Sequence, residues 1–175
     1  AVCAVDARRS VVATNRLARS YGVLPGQPLK SALALCAGLN SVDREPALEQ
    51  ALLMALGQRM LAFSSLVSLQ PPQALVLEVR SSLRLFGGIE SLCAQLLGSL
   101  QADGYHLRHS VAPSARGAYW LARGGFSPQP EQVVQSGRAA ASFLSALNAL
   151  DIRVTGCDDH IISALRDVRV STFAT

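Results

Sequence analysis

The chain predicts an α+β fold: a small sheet with helices packed on one face, followed by a small helical unit. Three observations carry that expectation. Short apolar runs of strand length alternate with longer segments whose apolar residues recur every three to four positions. Glycine, proline and asparagine punctuate these runs where turns and caps need them. The stretch Gly124-Gly125-Phe126-Ser127-Pro128-Gln129-Pro130 reads as a linker by composition and is the best boundary in the chain.

Val2–Val5 and Ser10–Thr14 are expected as strands around the turn Asp6-Ala7-Arg8-Arg9. Asn15 is placed to cap a short helix, Arg16–Tyr21, which Gly22 stops. Val23-Leu24-Pro25-Gly26 is a turn, with Pro pre-set for one corner and Gly for the next. A helix is expected from Pro28 to Cys36, where Leu29, Ala32, Leu33 and Cys36 share a face. Leu39–Val42 then reads as a strand.

Glu45-Pro46 opens the longest helix, to about Phe63, because proline is tolerated in a first turn. Its expected buried stripe is Leu48, Leu52, Ala55, Leu56 and Met60. Strands follow near Leu66–Leu69 and Ala74–Val79, then an amphipathic helix over Ile89–Leu100 with Leu92, Leu96 and Leu100 aligned. Asp103-Gly104 turns the chain into an expected strand, Leu107–Ala112, and Ser114 caps a helix to about Arg123. Beyond the linker, helices are expected near Arg138–Leu147 and Asp159–Asp167.

With 175 residues, 50% of them hydrophobic, the chain can bury a core in one or two small domains. No apolar run approaches the roughly 18 residues that a membrane span needs. The start, Ala1-Val2-Cys3-Ala4-Val5, carries neither an initiator Met nor a signal-peptide pattern, so a fragment of a longer protein is expected. The four cysteines, Cys3, Cys36, Cys93 and Cys157, show no metal-type pairing and read as reduced thiols, which suits the cytosol. The net charge of +4 favours an anionic partner. Lys30 is the sole lysine, however, and a G- and C-rich genome would raise arginine in the same way. The sequence holds neither a Gly-x-Ser-x-Gly elbow nor a phosphate-loop signature, which removes two common enzyme classes.

Several stretches, in order, resemble the core of the Y-family translesion DNA polymerases. Val11-Val12-Ala13-Thr14-Asn15 through Ala18-Arg19-Ser20-Tyr21-Gly22-Val23 resembles the strand and Tyr-Glu-Ala-Arg helix that begin the fingers. Pro25-Gly26-Gln27-Pro28-Leu29 with the helix after it resembles the Gly-Met-Pro-Leu segment. Leu75-Val76-Leu77-Glu78-Val79 with Ser82-Leu83-Arg84-Leu85-Phe86-Gly87-Gly88 is similar to the catalytic palm strand and its exit. His109-Ser110-Val111-Ala112-Pro113-Ser114 is similar to the strand leading to the family's Asn-Lys helix, and Leu165–Thr175 faintly resembles the thumb's helix-hairpin-helix. The resemblance implies partial palm at 1–14, fingers at 15–45, palm at 46–124 and a truncated thumb-like unit at 125–175.

The departures from that family carry the functional expectation. Counting back from Val79, the two magnesium-holding acids of the palm strand fall on Gln73 and Ala74. Two-metal phosphoryl transfer needs carboxylates there, and Glu78, the nearest acid, lies about 13 Å along the strand. Arg19 keeps the family's phosphate-binding arginine position, Arg16 replaces its tyrosine, and Ser114-Ala115 stands where Asn-Lys is expected. Arg169 and Ala174 fall at the hairpin glycine positions.

This pattern of loss resembles the ImuB subgroup, polymerase-like partners in bacterial damage-induced mutagenesis. The resemblance is carried by Asn15-Arg16, Ser82–Gly88 and Ala112-Pro113-Ser114. It implies a non-catalytic adaptor with no metal of its own. Such an adaptor would bind DNA and bring an error-prone replicative-type polymerase, a RecA-like accessory protein and, through a region outside this chain, the sliding clamp.

The candidate phosphate contacts are Arg16 and Arg19, and the candidate DNA contacts are Arg108, Arg116, Arg123 and Arg169. The competing reading of these arginines, and the favoured one for Arg8 and Arg9 in their turn, is a solvated surface residue. Tyr119 and Trp120 are expected in the core or at an interface, and His106 and His109 as exposed or hydrogen-bonded. The rival is an active polymerase, with magnesium, whose acids lie upstream of Ala1.

Overall fold

A computed structural model describes residues 1–126 and 138–173, with the backbone alone over 138–142. The chain divides into two compact units, Ala1–Ala51 and Leu52–Thr175. Both mix helices with small sheets, and the α+β expectation holds.

In the first unit β1 (Val2–Val5) lies at the centre of a three-stranded sheet of order β2-β1-β3. β2 (Val11–Thr14) pairs with it antiparallel, with a register shift between Ala4 and Val5. β3 (Asn40–Asp43) pairs with it parallel, Cys3 opposite Ser41. A parallel neighbour needs a crossover, and α1 (Arg16–Ser20) and α2 (Leu29–Leu35) supply it. The turn between β1 and β2 is pinned by Asp6, whose Oδ1 accepts the backbone N–H of Arg8 at 3.0 Å and of Ser10 at 2.8 Å. Val5, Val11, Ala18, Val23 and Ala32 are 0–1% exposed and form one apolar core with Cys3 and Cys36.

α3 (Pro46–Met60) opens with Glu49 in its first turn, where the helix dipole favours a carboxylate. The Arg44 guanidinium grips that carboxylate, with Nε to Oε1 at 2.7 Å. This hydrogen bond holds the Glu49 carboxyl below its usual range. The buried face of α3 corrects the expected stripe. Leu53, Gly57 and Met60 are buried, whereas Leu48 and Leu52 are 61% and 45% exposed. Apolar residues ring this helix, so periodicity could not choose a side. Close approach chose it, because a Cβ added at Gly57 would lie 2.7 Å from Leu69 Cδ2.

β4 (Leu66–Gln70) and β5 (Ala74–Glu78) form a two-stranded antiparallel ribbon, with Gln70 opposite Ala74 and Leu66 opposite Glu78. Buried Ser64 ties its open end, its Oγ accepting the Leu66 N–H at 3.0 Å and donating to the Glu78 carbonyl. A 3-10 turn (Arg80–Ser82) and the short α4 (Leu83–Phe86) follow. Gly87, with φ 75°, closes α4, and Gly88, with φ 114°, precedes α5 (Ile89–Ala102). Leu92 and Leu100 of α5 are buried and Leu96 is half-buried, as their four-residue spacing predicts.

The expected strand Leu107–Ala112 is not paired in either sheet. Its burial does not alternate: Leu107 and Arg108 are exposed and His109 to Ala112 are all half-buried. Strand propensity is realised only where a neighbouring edge offers groups in register, and this segment meets none among the described residues. Ser110 Oγ is buried there without a partner.

α6 (Ala115–Gly124) is capped by Ser114 Oγ, which accepts the Gly117 N–H at 3.2 Å. Leu121 is fully buried and clusters with Ala146 and Leu150, and Trp120 packs its ring 5.0 Å from that of Phe173. Trp120 is half-buried and packs against this cluster from outside, at the edge of the core. Gly125, with φ 76°, ends the helix, and the rest of the expected linker, 127–130, lies outside the described residues.

α7 (Arg138–Asn148), a 3-10 turn (Ile152–Thr155) and α8 (Asp159–Asp167) complete the unit. The described helical hairpin is thus Ile152–Asp167 with Gly156 at its turn, not Leu165–Thr175 as expected. The later segment is the end of α8 and a return in which Thr172 bridges Asp151.

Candidate nucleic-acid interface

The arginines of this chain sort by what their guanidinium groups meet. Arg9 pairs with Asp43 at 2.9 Å, Arg44 with Glu49 at 2.6 Å, Arg166 with Asp151 at 2.8 Å, and Arg59 with Asp103. Those four are neutralised locally, and Arg9 is therefore a turn-anchoring residue. No described ion pair involves Arg16, Arg19, Arg108, Arg116, Arg123 or Arg169.

Asn15 sets the position of the first two. Its Oδ1 accepts the Ala18 N–H at 2.8 Å, capping α1, and the Val2 N–H at 3.2 Å, tying the helix start to β1. Arg16 and Arg19 are then three residues apart on one exposed side of α1. Arg19 Nε donates to Thr14 Oγ1 at 3.0 Å, so the last residue of β2 orients it. Beside them the outer face of the sheet is an open depression lined by Val2, Ala4, Ala13 and Val42.

Gln73 is exposed in the turn before β5, and Ala74, half-buried, is the strand's first residue. Glu78 ends the same strand. Its carboxylate accepts the Arg80 N–H at 2.8 Å and the Ser81 hydroxyl at 3.4 Å, so it serves the 3-10 turn that follows. The start of β5 therefore presents an amide and a methyl group.

On α6, Arg116, Trp120 and Arg123 recur at helical spacing. The Arg116 guanidinium carbon stands 5.8 Å from the Trp120 ring centroid. That of Arg123 stands 5.5 Å from the Tyr119 ring centroid, with Arg123 Nη1 donating to Tyr119 Oη at 3.1 Å. Arg108, fifteen residues earlier, donates from Nη1 to the Arg123 carbonyl at 3.1 Å. The fold thus brings Arg108 and Arg123 to the same helix end and leaves Arg116 about 10 Å of helix rise away.

Arg169 stands apart from these. It adopts the left-handed conformation, φ 65°, in the turn that ends α8. The Val170 N–H returns to the Leu165 carbonyl at 2.8 Å, the pattern usually closed by glycine. The backbone thus keeps a glycine-type turn at Arg169, while Ala174 lies outside the described residues. Sequence reasoning missed Tyr119 as a partner of Arg123, although Tyr119 and Arg123 are four apart on one helix.

Comparison with known proteins places this geometry. A family model described as impB/mucB/samB matches residues 1–118. Protein ImuB of Caulobacter vibrioides, in two strains, is 34% identical over 104 residues, 59% of this chain. The chain spans 23% of that protein's length. Among solved structures, DinB from Sulfolobus solfataricus superposes with a TM-score of 0.70 at 16% identity. A Dbh ternary complex does so with a TM-score of 0.72 at 17% identity. Each match covers 98% of this chain and 50% of the solved one. At those identities the likeness is one of fold.

Proposed function

This chain belongs to the impB/mucB/samB family, and from that premise we propose that it is a catalytically silent, polymerase-like scaffold that holds DNA during damage-induced translesion synthesis. One observation carries the silent part. The positions that would carry the palm acids are Gln73 and Ala74, and the only acid of β5 is Glu78, at the strand's opposite end and engaged with the Arg80 N–H. Magnesium in two-metal transfer is held by carboxylate oxygens at about 2.1 Å. An amide and a methyl do not fit such ions.

The DNA-binding part is supported by the polymerase-like fold, by similarity to a structure described as an insertion ternary complex of Dbh DNA polymerase, and by a net charge of +4. Among the described residues Arg16, Arg19, Arg108, Arg116, Arg123 and Arg169 take part in no ion pair, nor do Arg8, Arg80, Arg84 and Arg153, and the first six are the DNA-contact candidates. Contacts of this kind neutralise phosphates and do not choose sequence. The likeness to protein ImuB supports the adaptor part. In that role the full protein, in the bacterial cytoplasm and at the nucleoid when active, recruits an error-prone replicative-type polymerase with a RecA-like accessory protein. It reaches the sliding clamp through sequence outside this chain. Among the described residues no helix is long and apolar enough to cross a membrane.

The test is primer extension by the full-length protein with magnesium. No template-directed incorporation is expected, and incorporation would overturn the reading. In a parallel titration, primer-template affinity should fall steeply with salt and drop several-fold in Arg19→Ala. Binding that ignores salt would count against a phosphate-contacting surface.

A further inference from the structure

Between Glu49 and Glu78 the sequence carries a single charged residue, Arg59. The fold cancels that charge, because the Arg59 guanidinium pairs with Asp103 and donates to the Ser99 carbonyl at 2.9 Å. This neutral stretch builds most of α3 and the whole of β4. Between the two lies an open groove of about 210 Å³, lined by Met54, Gly57, Gln58 and Leu61 on one side and by Val67 and Leu69 of β4 on the other. Its rim is apolar and faces water, with Met54 49% and Leu61 56% exposed.

β4 also has a bare edge. Among the described residues it pairs with β5 alone, so alternate residues of Leu66–Gln70 turn N–H and C=O away from the ladder. Edge strands are commonly guarded by lysine, proline or a bulge. Leu66-Val67-Ser68-Leu69-Gln70 holds none of these, and its register against β5 is unbroken. Another extended backbone answers such a row of donors and acceptors.

The strand suits its own copy. An antiparallel pairing centred on Ser68 sets Ser68 against Ser68, Val67 against Leu69, and Leu66 against Gln70 of the second copy. No like charges meet, whereas a strand with net charge would repel itself. Val67 and Leu69 turn to the α3 side, where Leu69 Cδ2 lies 2.7 Å from a Cβ placed at Gly57. A two-fold axis normal to the ribbon keeps that side common to both copies, so the two grooves join in one apolar seam. A nucleic acid finds no free cation in this lining, and a charged peptide finds no counter-charge.

We infer that β4 is a self-association edge. Two copies of this chain pair Leu66–Gln70 across an axis at Ser68, and Met54 and Leu61 of each copy cover the seam. One strand pair with its flanks is a small interface, so the dimer is weak and concentration-dependent. The inference uses none of the arginines assigned to DNA and stands or falls separately from that reading.

Sedimentation equilibrium of the full-length protein, without DNA, tests it. The parent should exchange reversibly between monomer and dimer. Ser68 is exposed, and Ser68→Lys should raise the dissociation constant about fivefold or more, because two ammonium groups then meet on the axis. Ser68→Glu should act alike. Mixing the two variants should restore dimers of near-parent affinity, and added salt should weaken this mixed pair while strengthening each charged homodimer. Leu61→Gln should also weaken the dimer, whereas Val168→Gln, at an apolar residue 69% exposed and outside the groove lining, should not. Circular dichroism melts confirm that each variant is folded. A parent that stays monomeric overturns the inference, and so does open-ended assembly in place of dimers. A dimer indifferent to Ser68→Lys places the contact elsewhere and overturns it too. Failure of the mixed pair to recover overturns the register centred on Ser68.

Discussion

The sheet of the first unit and the ribbon of the second are built from similar residues, yet they end with different burial. β1 has a neighbour on each edge and an apolar cluster against one face, and Cys3 and Val5 are 1% and 0% exposed. β5 pairs with β4 alone among the described residues, and Ala74, Leu75, Val76 and Leu77 all stay half-buried. The difference teaches that hydropathy selects a strand but does not bury it. A two-stranded ribbon is marginal by itself and draws its stability from what covers it. For β4 and β5 part of that cover is α3, which reaches Leu69 and Leu75 through Gly57.

The largest effect should come from testing that contrast directly. Val5→Ala removes fully buried methyl groups and should cost about 2 kcal/mol. Val76→Ala in β5 should cost less than about 1 kcal/mol, because the site is already part-solvated. Urea denaturation of both variants measures the gap, and equal losses would erase the distinction between the sheets.

A smaller effect tests the polar fastening of the second unit. Asp151 Oδ1 accepts the Arg153 N–H at 2.8 Å, capping the 3-10 turn, and its other oxygen pairs with Arg166. The Arg153 backbone hydrogen bond, aided by the Arg166 and Arg153 charges, holds its carboxyl below the usual range despite some desolvation. Asp151→Ala should cost about 1 kcal/mol at pH 7, a cap value kept modest because the pair is part-exposed. A depressed carboxyl stabilises the fold above its unfolded value of about 3.9 and loses that contribution as pH falls through the folded value. The gap between parent and variant should therefore close in acid. A gap unchanged between pH 7 and pH 2 would refute this role.

The smallest effect has the opposite sign. Arg169 holds φ 65°, where a side chain is disfavoured, so Arg169→Gly should stabilise by roughly 0.5–1 kcal/mol in a thermal melt. A lower melting temperature would show that the arginine side chain contributes more than its backbone costs.

Much of the candidate site was legible before the fold. The Asn15 and Ser114 caps, the α8 range Asp159–Asp167 and the stop at Gly22 each depend on hydrogen bonds within about four residues, which sequence displays. Arg16 and Arg19 share a side of α1 for the same reason. Arg108 and Arg123 are fifteen residues apart and meet only because the chain turns back between them, so no spacing rule reveals the pair.

By itself the sequence determined which chemistry is present: an amide at 73, a methyl at 74, and a surplus of arginine over acids. It also determined the local elements, since caps, turns and helical repeats are short-range. Tertiary structure alone decided which arginines are neutralised, which face of α3 is buried, and that 107–112 joins no ladder among the described residues. Those outcomes turn on contacts between residues far apart in the chain. Their energies depend on approach distance and on available partners, and a linear pattern encodes neither.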